Sequence, residues 1–241
     1  MTALSSAPRG FDPAVYFVTD TALCGDRGVV ETVRQAVLGG VHTVQVRAKN
    51  ESAAEAFELL VAVGQVCQGH ATVLMNDRVD VYLAAKAAGA WVQGVHVGQG
   101  DLPVRWVREL VGSEAIVGLT ANTAAHFDAI GALTPGTVSY AGVGVIRPTS
   151  TKADHPEPLG IDGFAGFALA SSVPCVAIGG VRRDDLPAIR QAGGVGAAVV
   201  SLLCLAADPR REAELLVAAW NSPTADTTAP VARRVGERDD E

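Results

Sequence analysis

With 241 residues and 49% hydrophobic content, the chain can bury one sizeable core, and it leaves no room for a second domain of similar size. A formal net charge of −7 argues against general nucleic-acid binding, which needs a basic face to neutralise backbone phosphates, so any anion site must be local. No apolar stretch is long enough to span a membrane, and the first ten residues lack the charged-then-apolar order of a signal peptide, so a cytoplasmic protein is expected.

Residues 1–12 read as a flexible lead into a domain spanning 13–220. From Val15 onward, short β-branched runs alternate with longer amphipathic stretches, the pattern of repeated βα units. Strands are predicted at 15–18, 43–46, 72–75, 94–97, 115–119, 138–142, 175–178 and 197–200. Apolar spacing predicts helices at 29–38, 53–67, 79–88, 104–111, 124–130, 164–170, 186–191 and 210–220. Eight units fit a single-domain (β/α)8 TIM barrel, although an open doubly wound sheet is built from the same local units. Residues 221–241, rich in Pro, Thr, Ala and alternating charge, read as a disordered tail. Cys24, Cys67, Cys175 and Cys204 are scattered without paired spacing, which predicts buried free thiols rather than disulfides or a zinc site.

In a barrel, the loops after the strands share one mouth, so polar residues there are the candidates for function. After the second strand, Gln45, Arg47 and Lys49 alternate with Val46 and Ala48 and so share a face. Burying two cations calls for an anionic ligand, the structural alternative being ion pairs with Glu51 or Glu55. Asn76 and Asp77 follow the third strand, and Gly98, Gln99, Gly100 and Asp101 follow the fourth. Carboxylates there suit magnesium, whereas the alternative reading makes both of them helix caps. His96, on the fourth strand itself, reads as a packed, hydrogen-bonded core histidine. After the sixth strand, Arg147 leads through Pro148, Thr149, Ser150, Thr151 and Lys152 into a long loop with the makings of a lid, or else a plain surface loop. Gly179 and Gly180 after the seventh strand, with Val200 and Ser201 at the eighth, mark the edge where barrels often hold phosphate. Two anion sites suggest two phosphorylated substrates and a transfer between them, assisted electrostatically rather than covalently.

These residues resemble the thiamine-phosphate synthase family from Val15 to about Asp208. The resemblance rests on Tyr16 to Asp20, the Gln45, Arg47, Lys49 run, Asn76-Asp77-Arg78, His96 to Asp101, Thr149 to Lys152, Ala177 to Val181, and Val199 to Ser201. It implies a transferase joining 4-amino-5-hydroxymethyl-2-methylpyrimidine diphosphate to 4-methyl-5-(2-phosphoethyl)thiazole, with release of pyrophosphate. In the family, diphosphate departs to leave a pyrimidine methyl cation, which the thiazole nitrogen captures. The same resemblance implies that Asp77 and Asp101 hold Mg2+. It assigns Gln45, Arg47, Lys49, Asn76 and Lys152 to the pyrimidine diphosphate, and Thr149, Thr151, Gly179 or Gly180, Val200 and Ser201 to the thiazole phosphate. Lys152, Arg47 and Lys49 are the candidate catalytic groups.

The sequence departs from the family pattern at Ala48 and Gly100, where acidic residues are usual. It also has a longer segment over 85–93, and Thr120 where serine is usual. The rival within the fold is a thiazole tautomerase, which uses a histidine just after the fifth strand; here Ala121 and Asn122 stand there, with His126 a helical turn further on. A catalytically silent phosphate-binding barrel, the rival of another class, would be expected to lose the metal carboxylates or Lys152. Neither nucleic acid nor membrane is an expected partner, and a homo-oligomer is compatible with the sequence.

Overall fold

Eight short strands pair in chain order, each parallel to the next: β1 (Val15–Val18), β2 (Thr43–Val46), β3 (Thr72–Asn76), β4 (Gly94–Val97), β5 (Ile116–Thr120), β6 (Tyr140–Gly144), β7 (Cys175–Ile178) and β8 (Gly196–Val199). The last strand pairs with the first, Phe17 opposite Val199, so the sheet closes into a barrel and the open-sheet alternative is eliminated. The computed structural model describes residues 10–149 and 157–223. Thr151 and Lys152, nearly all of the predicted tail and most of the predicted lead-in lie outside the described residues.

Strand side chains alternate between two layers. Outward positions such as Phe17, Val44, Val73, Val95 and Val117 pack in one cluster with the helices. Inward positions Tyr16, Val18, Leu74, Ile116, Tyr140, Val176 and Ala198 fill the bore. Phe11, ahead of the boundary expected at residue 13, joins that inner cluster and lies with its ring centroid 4.9 Å from that of Tyr140. Thr43 Oγ1 and Thr72 Oγ1 hold this segment by donating to the carbonyls of Asp12 and Gly10. Phe11 therefore floors the barrel among the described residues, and the cavity lies at the other end, that of the strand C-termini.

The surrounding helices are α1 (Thr21–Cys24), α2 (Gly28–Leu38), α3 (Ala53–Cys67), α4 (Val79–Ala87), α5 (Val104–Val111), α6 (Ala124–Gly131), α7 (Gly160–Ala170), α8 (Leu186–Gln191), α9 (Ser201–Cys204) and α10 (Pro209–Asn221). Local chemistry sets several of their starts. Ser52 and Glu55 form a reciprocal capping box on α3, Thr123 caps α6, and Asp208 caps α10 ahead of Pro209. The fully buried Leu60 faces the sheet from α3, and its truncation to alanine would cost about 2–5 kcal/mol.

Most boundaries fall within one residue of the sequence expectation, and three differences stand out. Strand β6 lies two residues later than predicted because Gly144 pairs with Ile178, a register that glycine's low strand preference conceals. Helix α7 begins at Gly160 rather than residue 164, and Val200 precedes α9 instead of closing the last strand. With four residues each, α1 and α9 are too short to show a helical period. Among the described residues no helix is long and apolar enough to cross a membrane. All four cysteines are free and buried.

Candidate active site

The mouth of the barrel holds a cavity of about 580 Å3 whose lining draws on all eight strand ends. Gln45, Arg47, Lys49, Asn76, Asp77, Asp101, Thr120, Thr149, Gly179, Gly180, Val200 and Ser201 all line it. Every sequence-predicted site residue that is described therefore meets the others there, while Thr151 and Lys152 fall outside the described residues.

The cations after β2 are not engaged by their sequence neighbours. Arg47 Nη1 donates to Asp20 Oδ2 at 2.6 Å, and Lys49 Nζ lies 3.7 Å from Asp77 Oδ2. Glu55 is committed to capping Ser52, and Glu51 accepts from the Asn50 N–H. Asp20 also caps α1 through the Leu23 N–H, so the Arg47 partner is itself fixed to the backbone. Asp20 lies 27 residues before Arg47, and only the parallel pairing of β1 with β2 brings them together.

The capping alternative for the two carboxylates does not hold. The residue preceding α4 is Arg78, the one preceding α5 is Pro103, and neither helix has a side-chain cap. Asp77 instead takes a left-handed φ of 60°, a conformation in which aspartate and asparagine are tolerated better than most residues. Asp101 Oδ2 accepts from the Gly98 N–H at 2.7 Å, and Asp77 and Asp101 line the same cavity. Burial, followed by the proximity of Asp101, pushes the Asp77 carboxyl above its ordinary range, with Lys49 opposing the shift. Such a pair favours either a proton or a cation between its members.

On the opposite wall, Gly180 has a φ of +64°, and a Cβ there would sit 2.7 Å from the Arg147 carbonyl. The glycine pair thus lets the chain after β6 lie across the end of β7, where Ile146 and Arg147 donate their N–H groups to the Gly179 carbonyl. Arg147 is clamped to the buried Asp185, which also accepts from the Arg182 N–H. At the adjoining edge, the first N–H groups of α9, beginning at Ser201, have no acceptor within the helix.

Of the unusual positions, Ala48 is buried among the helix-facing residues, and a Cβ at Gly100 would meet nothing within 4 Å. Thr120 Oγ1 lies 3.1 Å from His96 Nε2, while its carbonyl accepts from Gln99 Nε2. His96 is a packed, hydrogen-bonded histidine as expected, and it also borders the cavity. His126 reaches the cavity too, with Nδ1 accepting from the Asn122 N–H at 3.3 Å.

The thiamine monophosphate synthase family model matches residues 15–203, which spans all eight strands. The chain belongs to the thiamine monophosphate synthase family. Similar curated members include the thiamine-phosphate synthases of Corynebacterium efficiens, 43% identical over 86% of this chain and 94% of that protein, and of a Psychrobacter species, 39% identical over 85% and 94%. A solved thiamine phosphate pyrophosphorylase from Pyrococcus furiosus superposes with a TM-score of 0.75 at 28% identity, covering 87% of this chain and 96% of that one. The expectation of a synthase, a transferase on a (β/α)8 barrel, therefore stands.

For this family member, the sequence reading overlooked Asp20 as the Arg47 partner and the buried tyrosines beneath the cavity. The signal was present within the Tyr16 to Asp20 segment, but a tyrosine inside an apolar run reads as core. Its hydroxyl shows its purpose only when the facing strands are known.

Proposed function

We propose that this protein joins hydroxymethylpyrimidine diphosphate to thiazole phosphate, giving thiamine phosphate and pyrophosphate, with Mg2+ held by Asp77 and Asp101. The observation that carries this reading is the meeting of two adjoining carboxylates with Arg47 and Lys49 in one cavity. Neighbouring acids repel one another unless a cation lies between them, and their oxygen donors suit a hard ion that keeps several waters and takes phosphate oxygens. Among the described residues no group of three or more His, Cys, Asp or Glu side chains is gathered, so water and diphosphate would complete the magnesium shell.

Bound magnesium would supply positive charge where the departing diphosphate gathers electrons. Arg47 keeps several N–H donors beyond the one given to Asp20, and Lys49 adds a second fixed charge on the same wall. The C–O bond to diphosphate breaks with its electron pair leaving on oxygen, and the thiazole nitrogen lone pair forms the new C–N bond. Gln45 and Asn76 would hold the pyrimidine end with Thr120 beside them. Thr149, Gly179, Gly180, Val200 and Ser201 would hold the thiazole phosphate. Thr151 and Lys152 complete the set from the sequence pattern alone.

The direct test is incubation of the purified protein with both precursors and Mg2+, followed by detection of thiamine phosphate; no product would reject the reading. Lys152→Ala is expected to lower turnover far more than it weakens thiazole phosphate binding, and equal large losses would argue against a role for Lys152 in catalysis. Metal binding gives a further test. A carboxyl that titrates higher in the folded chain costs stability as pH rises above its unfolded value, and the cost is complete above its folded value. Since Asp77 is shifted upward, Mg2+ should relieve that cost at neutral pH and less as acidity approaches the ordinary value of 3.8. At about a hundred times Kd, Mg2+ should raise Tm by roughly 5–10 °C at neutral pH. An equal rise in acid would exclude Asp77 as a ligand.

A further inference from the structure

A line of side-chain hydrogen bonds crosses the barrel beneath the cavity. Gln45 Nε2 donates to the Tyr16 hydroxyl at 2.7 Å, and the Tyr16 and Tyr140 hydroxyls are 2.8 Å apart. The Tyr140 hydroxyl is 2.9 Å from His96 Nδ1, and His96 Nε2 is 3.1 Å from Thr120 Oγ1. Tyr16 and Tyr140 are 1% and 0% exposed, so neither hydroxyl can turn to bulk water.

The chemistry of the groups gives the line a direction. An amide nitrogen can only donate, so Tyr16 accepts from Gln45 and donates onward to Tyr140. Tyr140 then donates to His96 Nδ1, and the neutral ring carries its proton on Nε2 and donates to Thr120. At one end, Gln45 retains Oε1 and a second Nε2 hydrogen. At the other, Thr120 retains its own hydroxyl hydrogen, and both residues line the cavity.

The backbone leaves room for this line. A Cβ at Gly118 would lie 2.3 Å from both His96 Nδ1 and Tyr140 Cζ, and one at Gly142 would lie 3.0 Å from His96 Cε1. A side chain at Gly118 would thus displace the His96 and Tyr140 groups of the line, and one at Gly142 would press on the imidazole.

We propose that Tyr16, Tyr140 and His96 are positioning residues that fix the hydrogen-bond polarity of the cavity, so that Gln45 offers an adjacent donor and acceptor to an aminopyrimidine edge while Thr120 offers a donor. The ring nitrogen and exocyclic amino group of such a base complement a primary amide. A reversed line would commit Oε1 to Tyr16 and leave Thr120 as an acceptor. The ligand assignment rests on the function proposed above, whereas the polarity does not.

Nitrogen NMR of the 15N-histidine-labelled, unmutated protein tests the polarity, with His96 expected to be unprotonated at Nδ1 and protonated at Nε2. A proton on Nδ1 overturns the proposal, whatever the activity of the preparation. The positioning role is tested with Tyr140→Phe, which keeps the ring but removes the central hydroxyl. The unmutated enzyme should prefer the aminopyrimidine diphosphate over its des-amino analogue in kcat/KM. The variant should lose roughly tenfold of that preference with KM for the thiazole phosphate unchanged. Retention of the full preference would overturn the positioning role, and Tyr16→Phe should repeat the loss. A protein that couples neither pyrimidine to the thiazole phosphate would instead reject the functional reading, leaving the histidine resonances to judge the line itself.

Discussion

Asp77→Asn is expected to lower turnover at least about a hundredfold while leaving the protein folded, with a Tm in the absence of Mg2+ equal to or above that of the parent. Asparagine tolerates the left-handed φ of 60° at this position, so the backbone stays as it is, whereas alanine would add strain there. Replacing the carboxylate also removes its repulsion with Asp101, the interaction that, together with burial, holds the Asp77 carboxyl above its ordinary range. Lys49 loses a partner, but half of its side chain is exposed, so that loss should cost little stability. Loss of function with no loss of stability distinguishes a metal ligand from a structural acid. Thermal melts with and without Mg2+, beside an assay for thiamine phosphate, make the comparison. Turnover within about tenfold of the parent would remove Asp77 from the cation site.

Gly144→Ala should disturb the fold and the site together. Gly144 pairs with Ile178 at the rim of the barrel, and an added Cβ would sit 1.9 Å from the Ile178 carbonyl oxygen. That neighbour is backbone within the sheet, so it cannot swing away as a side chain could, and β6 and β7 must separate. Overpacking of this kind costs about 3 kcal/mol, which lowers Tm by roughly 6–12 °C in a domain of this size. Gly144 and Ile178 both line the cavity, so thiamine phosphate formation should fall as well. A Tm within about 2 °C of the parent, with full activity, would show that the rim can widen and that the register is not fixed by this contact.

The barrel was legible because its strands carry runs such as Thr43–Val46 and Thr72–Asn76 between helices with clear apolar spacing. Closure was not, since nothing local to Phe17 or Val199 states that they are partners. The site was legible where one strand end displays several polar groups in alternation, as at Gln45, Arg47 and Lys49. It was illegible where meaning depends on the facing strand. Asp20 became the partner of Arg47, and Tyr140 a hydrogen-bonding residue, only once β1, β2 and β6 took their places. The acids behaved similarly: alone, Asp77 and Asp101 read more readily as helix caps than as metal ligands, and the uncapped starts of α4 and α5 decided against that reading.

The stretch after β6 leaves and rejoins the barrel at nearly one point. Leu159 and Gly160 donate their N–H groups to the carbonyls of Val145 and Ile146, the residues with which that stretch begins. A segment whose two ends are tied together can be lengthened or shortened at small entropic cost without redirecting the elements on either side. A change of length within that stretch should therefore leave β6 and α7 where they are.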